Sequence, residues 1–131
     1  MRFLFFTLLL TASGLLSAQS RNLDIYLIDA EGGAASLIVS PSGESMLIDT
    51  GFAVGDRDAK RIYAATQQAG LKKIDYVVIS HFHADHVGGL PALSKMIPLG
   101  QLYGRSSAEL EPVNQQWLNN FNTAEIGRAH V

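Results

Sequence analysis

The sequence contains no cysteine. That removes disulfide bracing, thiolate metal ligation and a cysteine nucleophile, and leaves any metal to His, Asp or Glu. It also has no marked excess of one charge: ten Lys and Arg stand against twelve Asp and Glu, for a net charge of −2. A strongly basic nucleic-acid module is excluded, and nothing in this balance favours stable nucleic-acid binding. No apolar run reaches the ~20 residues of a membrane-spanning helix. There are only four prolines, and no repeat, low-complexity tract or linker. The apolar content of 47% over 131 residues is that of a folded chain with room for one domain.

The two ends do not read as fold. Met1-Arg2 leads into an apolar run from Phe3 to Leu16, followed by Ser17-Ala18-Gln19-Ser20. One positive charge, a short apolar core and a small-residue exit describe a secretory signal peptide, expected over residues 1–19 with cleavage near Ala18. A membrane anchor would be longer and would not be interrupted at Ser13-Gly14, and Arg2 with the break at Ser17 argues against a core helix. With no Cys after it, a lipid-anchored form is excluded. The expectation is an exported protein, periplasmic or extracellular, with no membrane attachment once the signal is removed. At the other end, Glu125-Ile-Gly-Arg-Ala-His-Val131 has no period and no cap. It matches one reading frame of a common sequencing adapter, so residues 125–131 are expected to be a non-native read-through tail, and His130 is not counted as a ligand. An ordinary frayed terminus is the alternative, and the codons of the source nucleotide sequence separate the two.

Between these ends the pattern is that of an α/β domain. Leu23 to Ile28, Ser36 to Val39 and Met46 to Ile48 read as three strands of an antiparallel meander, with a turn at Glu31-Gly32-Gly33 and a tight connection at Pro41-Ser-Gly43-Glu44. Asp56 or Asp58 is expected to cap a helix over 58–69, whose Ile62, Tyr63, Thr66 and Ala69 share one face and whose stop is Gly70. Ile74 to Ile79 is an apolar run of the buried-strand type. Leu90 to Met96 reads as a short helix that tolerates Pro91 in its first turn, Leu99 to Tyr103 as a strand, and Glu111-Pro112 as the start of a last helix to about Phe121.

The chemistry sits in Ser80-His81-Phe82-His83-Ala84-Asp85-His86-Val87-Gly88-Gly89. Three of the four histidines lie within six residues, with a carboxylate among them, at the C-terminal end of a buried strand, where open α/β sheets place their sites. If the strand persists to His83, His81 and His83 point to one side, where two imidazoles can share a metal, and Phe82 points the other way into packing. Asp85 and His86 on the following turn can then face back towards a second ion. A polar surface loop is the plain alternative, which four ligand-type residues at this spacing disfavour. A Ser80-His81-Asp85 triad is a second rival. Neighbours along a strand face opposite ways, so Ser80 is not expected to reach His81, and no nucleophile-elbow pattern is present.

His81, His83, Asp85 and His86 together are similar to the H-x-H-x-D-H signature of the metallo-β-lactamase fold superfamily. Asp49, in Leu47-Ile48-Asp49-Thr50-Gly51, resembles that family's first motif, an Asp at a strand end. Asp29 to Ala35 looks like the matching turn of one branch, the secreted hydrolase domain of competence-type DNA-uptake channels and its stand-alone relatives. The resemblance spans about 23–105. It implies an αββα four-layer sandwich, of which residues 20–124 would be the N-terminal half. It implies that His81 and His83 bind a first metal and that Asp85 and His86 bind a second. Asp85 would also be catalytic, orienting the attacking water or taking its proton. Asp49 would hold ligand rings by hydrogen bonds, and Glu31 to Gly33 would lie at the rim. The implied cofactor is Zn²⁺, two ions in the full enzyme, although iron or manganese would suit the same donors.

There are departures. Glu31 and Ala34 stand where the DNA-uptake branch has Gly and Asp, which weakens a nuclease reading. The later His, the bridging Asp and the last His of the family pattern are not found after Arg105. The 131 residues alone are therefore expected to bind metal weakly and to show no useful turnover. They are also expected to fold marginally, with Val77-Val78-Ile79 poorly covered. The expected activity is metal-dependent hydrolysis of a small-molecule ester or amide, or of a phosphodiester. An iron-binding redox protein on the same scaffold and a non-catalytic exported metal-binding module are the alternatives. Oligomeric state is left open by the sequence.

Overall fold

The computed structural model describes residues 22–104 and Asn119. The expected signal peptide, the helix from Glu111 and the tail at 125–131 lie outside the described residues. Five strands form one sheet in the order β1-β2-β3-β4-β5: β1 is Asp24–Leu27, β2 Ser36–Val39, β3 Ser45–Ile48, β4 Ile74–Val78 and β5 Leu99–Tyr103. The first three pair antiparallel, and β3, β4 and β5 run parallel. The expected meander is present, and its second hairpin is closed where Gly43 N–H donates to Ser40 O at 2.9 Å. The parallel pairs require crossovers. A 3₁₀ turn (Val54–Asp56) and α1 (Arg57–Gln68) supply the first, and two one-turn helices, α2 (Ala84–Val87) and α3 (Leu90–Leu93), lie in the second.

Strand alternation sorts the side chains. Leu37, Leu47, Val77 and Leu102 are in register across β2 to β5 and all are buried. They meet Ala59 and Ile62 of α1 and the buried Phe82, Val87, Leu90, Leu93 and Ile97 in one core. The other face carries Ile25, Ile38, Met46, Ile48, Val78 and Tyr103, half-buried or exposed. Val77 and Ile79 are thus covered, contrary to expectation, and only Val78 of that run is partly open.

Helix α1 begins and ends close to expectation. Its face with Ile62 and Thr66 buried, and Tyr63 and Ala69 partly so, follows the helical period. Gly70 takes a positive φ of 71°, and Gly70 N–H and Leu71 N–H close back on Gln67 O and Thr66 O, which is a Schellman stop. The cap is a correction. Asp56 occupies the N-cap position in a left-handed conformation without a side-chain capping bond, and Asp58 is not a cap either. Asp58 is fully buried, and its carboxylate accepts Phe52 N–H at 2.8 Å and Arg57 Nε–H at 2.6 Å. The α3 helix is shorter than Leu90 to Met96, because the chain tightens into turns after Leu93. Among the described residues no helix is long and apolar enough to cross a membrane.

Candidate metal centre

The site is made by the adjacency of two parallel strand ends. Asp49 follows β3 and Ser80 follows β4, and Asp49 N–H donates to Val78 O at 2.9 Å, so the two ends stay in register. Asp49 is almost completely buried and its backbone is left-handed, φ 59°, a conformation that Asp tolerates better than most residues. The turn aims its carboxylate at the histidine bend. Oδ1 accepts Ser80 N–H at 2.8 Å, and Oδ2 accepts Ser80 Oγ–H at 2.7 Å and lies 2.8 Å from His86 Nδ1. Asp49 is thus in direct hydrogen-bond contact with the His86 ring.

Strand β4 stops at Val78, so His81 and His83 are not presented by a continuing strand. His81 lies in the loop and His83 is the N-cap residue of α2. Asp85 and His86 are on α2 itself rather than on an open turn. The bend nevertheless gathers the rings. His81 and His86 have centroids 3.8 Å apart, and His81 and His83 4.6 Å, edge to face. Phe82 is buried, 1% exposed, and anchors the bend to the core. Because the strand has ended, the argument that kept Ser80 from His81 fails: Ser80 Oγ is 3.1 Å from His81 Nδ1. Sequence reasoning missed Ser80 as a partner of the ring, and its position beside the first histidine was the only available signal.

Backbone bonds pin α2 from two sides. Thr50 N–H and Thr50 Oγ–H both donate to His86 O, at 2.6 and 3.0 Å. Ala34 N–H, in the rim loop, donates to Asp85 O at 3.0 Å. The rim loop is in turn fastened to α1, where Arg57 pairs with Glu31 and Arg61 pairs with Glu31 and Asp29. The nearby guanidiniums are thereby occupied by carboxylates outside the histidine cluster.

Burial first, and the neighbouring His86 and His83 second, push the His81 imidazole below its ordinary pKa, which favours the neutral, ligating form. The donor set fits a divalent ion of borderline character: imidazoles and a carboxylate, with no thiolate. Among the described residues no group of three or more such side chains is arranged to hold an ion. His86 Nε2 and Asp85 Oδ2 lie 3.4 Å apart.

Asp58 offers a test of the scaffold under the site. Burial alone would raise its pKa, but the Arg57 hydrogen bond and Phe52 N–H outweigh burial and hold it below the usual carboxylate range. A depressed folded-state pKa contributes stability above the unfolded value and loses it as pH falls through the folded one. Asp58→Asn is therefore expected to lower stability at pH 7 by about 2 kcal/mol, the scale of hydrogen bonds to a charged group. In urea titrations the gap to wild type narrows from about pH 4 downwards. A gap independent of pH would refute this assignment.

Comparison with known proteins places these features in context. The family model described as the metallo-beta-lactamase superfamily matches residues 28–121. Integrator complex subunit 11 of Danio rerio is 38% identical over 69 residues, 50% of this chain and 12% of that protein. An atrochrysone carboxyl ACP thioesterase of Cryptosporiopsis sp. is 33% identical over 102 residues, 76% of this chain and 31% of that protein. A solved metallo-beta-lactamase motif variant from Cronobacter sakazakii shares 26% identity with a TM-score of 0.48, over 60% of this chain and 30% of that one. The chain thus spans about an eighth of the length of the first relative and under a third of the second.

Proposed function

The chain belongs to the metallo-beta-lactamase superfamily, and from that premise we propose that it acts as an exported hydrolase that uses metal-activated water on an ester, amide or phosphodiester bond. The observation that carries this reading is the His86–Asp85 pair. With His86 Nδ1 turned to Asp49 at 2.8 Å, its Nε2 faces Asp85 Oδ2 at 3.4 Å. An imidazole nitrogen and a carboxylate oxygen at that separation can share one positive charge, and a metal cation suits the pair as well as a proton on Nε2 does.

His81 and His83 would hold one ion and Asp85 and His86 a second, with zinc the ion best matched to the donors. When bound, such ions would polarise the scissile bond and lower the pKa of a coordinated water to about 7. Asp49 restrains the His86 ring. Thr50, through His86 O, and Ala34, through Asp85 O, keep α2 from turning its donors away. Asp85 carries a free carboxylate oxygen that can orient water or accept its proton. The absence of Cys suits a mechanism without a protein nucleophile. Export is supported by the leader-like composition of residues 1–19, and the near-neutral charge favours small substrates over a nucleic-acid track.

The test is chelation of the full-length protein secreted with its own leader. Metal analysis is expected to find zinc. Removing it should bring hydrolysis of a panel of nitrophenyl ester, lactone, β-lactam and phosphodiester probes to background, and zinc should restore it. Undiminished hydrolysis after complete removal of metal, or a purified protein that retains none, would overturn the proposal. Iron in place of zinc, with electron transfer and no hydrolysis, would instead establish the redox alternative.

A further inference from the structure

We propose that Ser80 is a positioning residue that relays Asp49 to His81, so that one buried carboxylate sets the tautomer of two histidines, one in each candidate metal pair. The proposal concerns ring protonation sites and uses the metal reading only for its consequence.

A carboxylate can only accept hydrogen bonds, so each side-chain partner of Asp49 donates to it. Ser80 uses its backbone N–H on Oδ1 and its hydroxyl on Oδ2, at 2.8 and 2.7 Å. A serine hydroxyl has one proton, and here the carboxylate takes it. Towards His81 Nδ1, 3.1 Å away, the same oxygen can therefore only accept. Nδ1 of His81 must carry hydrogen, which in the neutral ring leaves Nε2 with its lone pair. His86 reaches the same state directly, with Nδ1 donating to Asp49 Oδ2 at 2.8 Å. Both rings are thus held as the Nδ1–H tautomer, the less favoured form of a free histidine side chain, with Nε2 free to ligate.

The relay also couples the two rings. Asp49 Oδ2 serves Ser80 and His86 together, and the His81 and His86 rings lie 3.8 Å apart. Ser80 Oγ also lies 3.3 Å from His86 Nδ1, but His86 keeps its closer bond to Asp49, so rotating Ser80 away would leave only His81 without its partner. Losing Asp49 would release both. Hydrogen-bond partners of ligand histidines typically change metal affinity by ~10–100-fold when removed.

The experiment is long-range proton–nitrogen NMR of the full chain, with the imidazole nitrogens observed before and after zinc addition across a range of pH. Wild type is expected to show Nδ1–H for His81 and His86 without zinc. Ser80→Ala should shift His81 towards Nε2–H and leave His86 unchanged, and Ser80→Thr should keep the wild-type pattern. In competition with a chelator, Ser80→Ala should bind zinc ~10–100-fold more weakly and Ser80→Thr close to wild type. An Nε2–H His81 in wild type, or an Nδ1–H His81 that survives Ser80→Ala, would overturn the relay. The tautomer readings need no metal, so a chain that shows them yet binds no zinc refutes the proposed function and leaves the relay standing.

Discussion

Replacing His81 and His83 together with alanine is expected to abolish the proposed hydrolysis by the full-length protein while leaving its folding intact. The two effects separate because of where the rings lie. His83 is exposed and His81 half-buried, and neither belongs to the apolar core. Phe82 between them is the buried anchor of the bend, and it is unchanged in this variant. The urea midpoint should therefore move by about 1 kcal/mol in stability terms, the scale of the Ser80–His81 hydrogen bond that is lost. The loss of rate is of another order. Lowering the pKa of water to about 7 raises its hydroxide fraction at neutral pH by many orders of magnitude, and the polarisation of the scissile bond is lost with it. Even a small part of those contributions puts the variant below detection. Steady-state hydrolysis and zinc content are measured on the same sample, and both should fall. A variant that keeps more than a tenth of wild-type rate would remove His81 and His83 from the chemistry.

Gly89→Ala is expected to damage fold and site together. A Cβ at this position would lie 2.1 Å from Thr50 O and 3.2 Å from Thr50 C, inside backbone that cannot rotate away. The same strand-end segment holds α2: Thr50 N–H donates to His86 O, and Gly89 N–H donates to Gly51 O at 3.1 Å. Relieving the clash means parting the segment after β3 from the helix that carries Asp85 and His86. Overpacking of this kind costs about 1–3 kcal/mol, and the broken bonds bring the total to the upper end of that range or beyond. Gly32→Ala is the control. It has a positive φ of 96° but nothing within 4 Å, so its cost is backbone strain alone, about 1 kcal/mol, with α2 undisturbed. Urea unfolding and zinc affinity should both fall for Gly89→Ala, and only the former, slightly, for Gly32→Ala. Equal effects on zinc affinity would show that the contact with Thr50 does not support the site.

These residues also show how far the sequence could be read. Local patterns gave good strand limits: the apolar runs at Ser36–Val39 and Leu99–Tyr103 are β2 and β5, and the Pro41-Ser-Gly43 connection closes a hairpin. The histidine spacing identified the cluster because its information lies within six residues. Failures occur where the deciding neighbour is distant in sequence. Asp58 has the composition of a helix cap, but Phe52 N–H and Arg57 claim it and the core buries it. The tautomer relay depends on β3 and β4 being parallel neighbours, which sets Asp49 beside Ser80 across 31 positions. The strand was expected to run on to His83, but it ends at Val78, and the gathering of His81 with His83 comes from a loop and a helix N-cap instead. The rings were thus expected to gather on an extended strand and instead gather on a loop and a helix N-cap, with His81 nearer to His86 than to His83. That error also hid Ser80, because the exclusion of its contact with His81 held only for an extended strand.

X-ray absorption at the zinc edge of the metal-loaded full-length protein tests the central claim most directly. The account predicts a first shell of nitrogen and oxygen at ~2.0–2.1 Å with the multiple scattering of imidazole, reduced by a countable number of histidines in the His81→Ala/His83→Ala variant. A shell with no imidazole scattering, or one identical in wild type and variant, would contradict it.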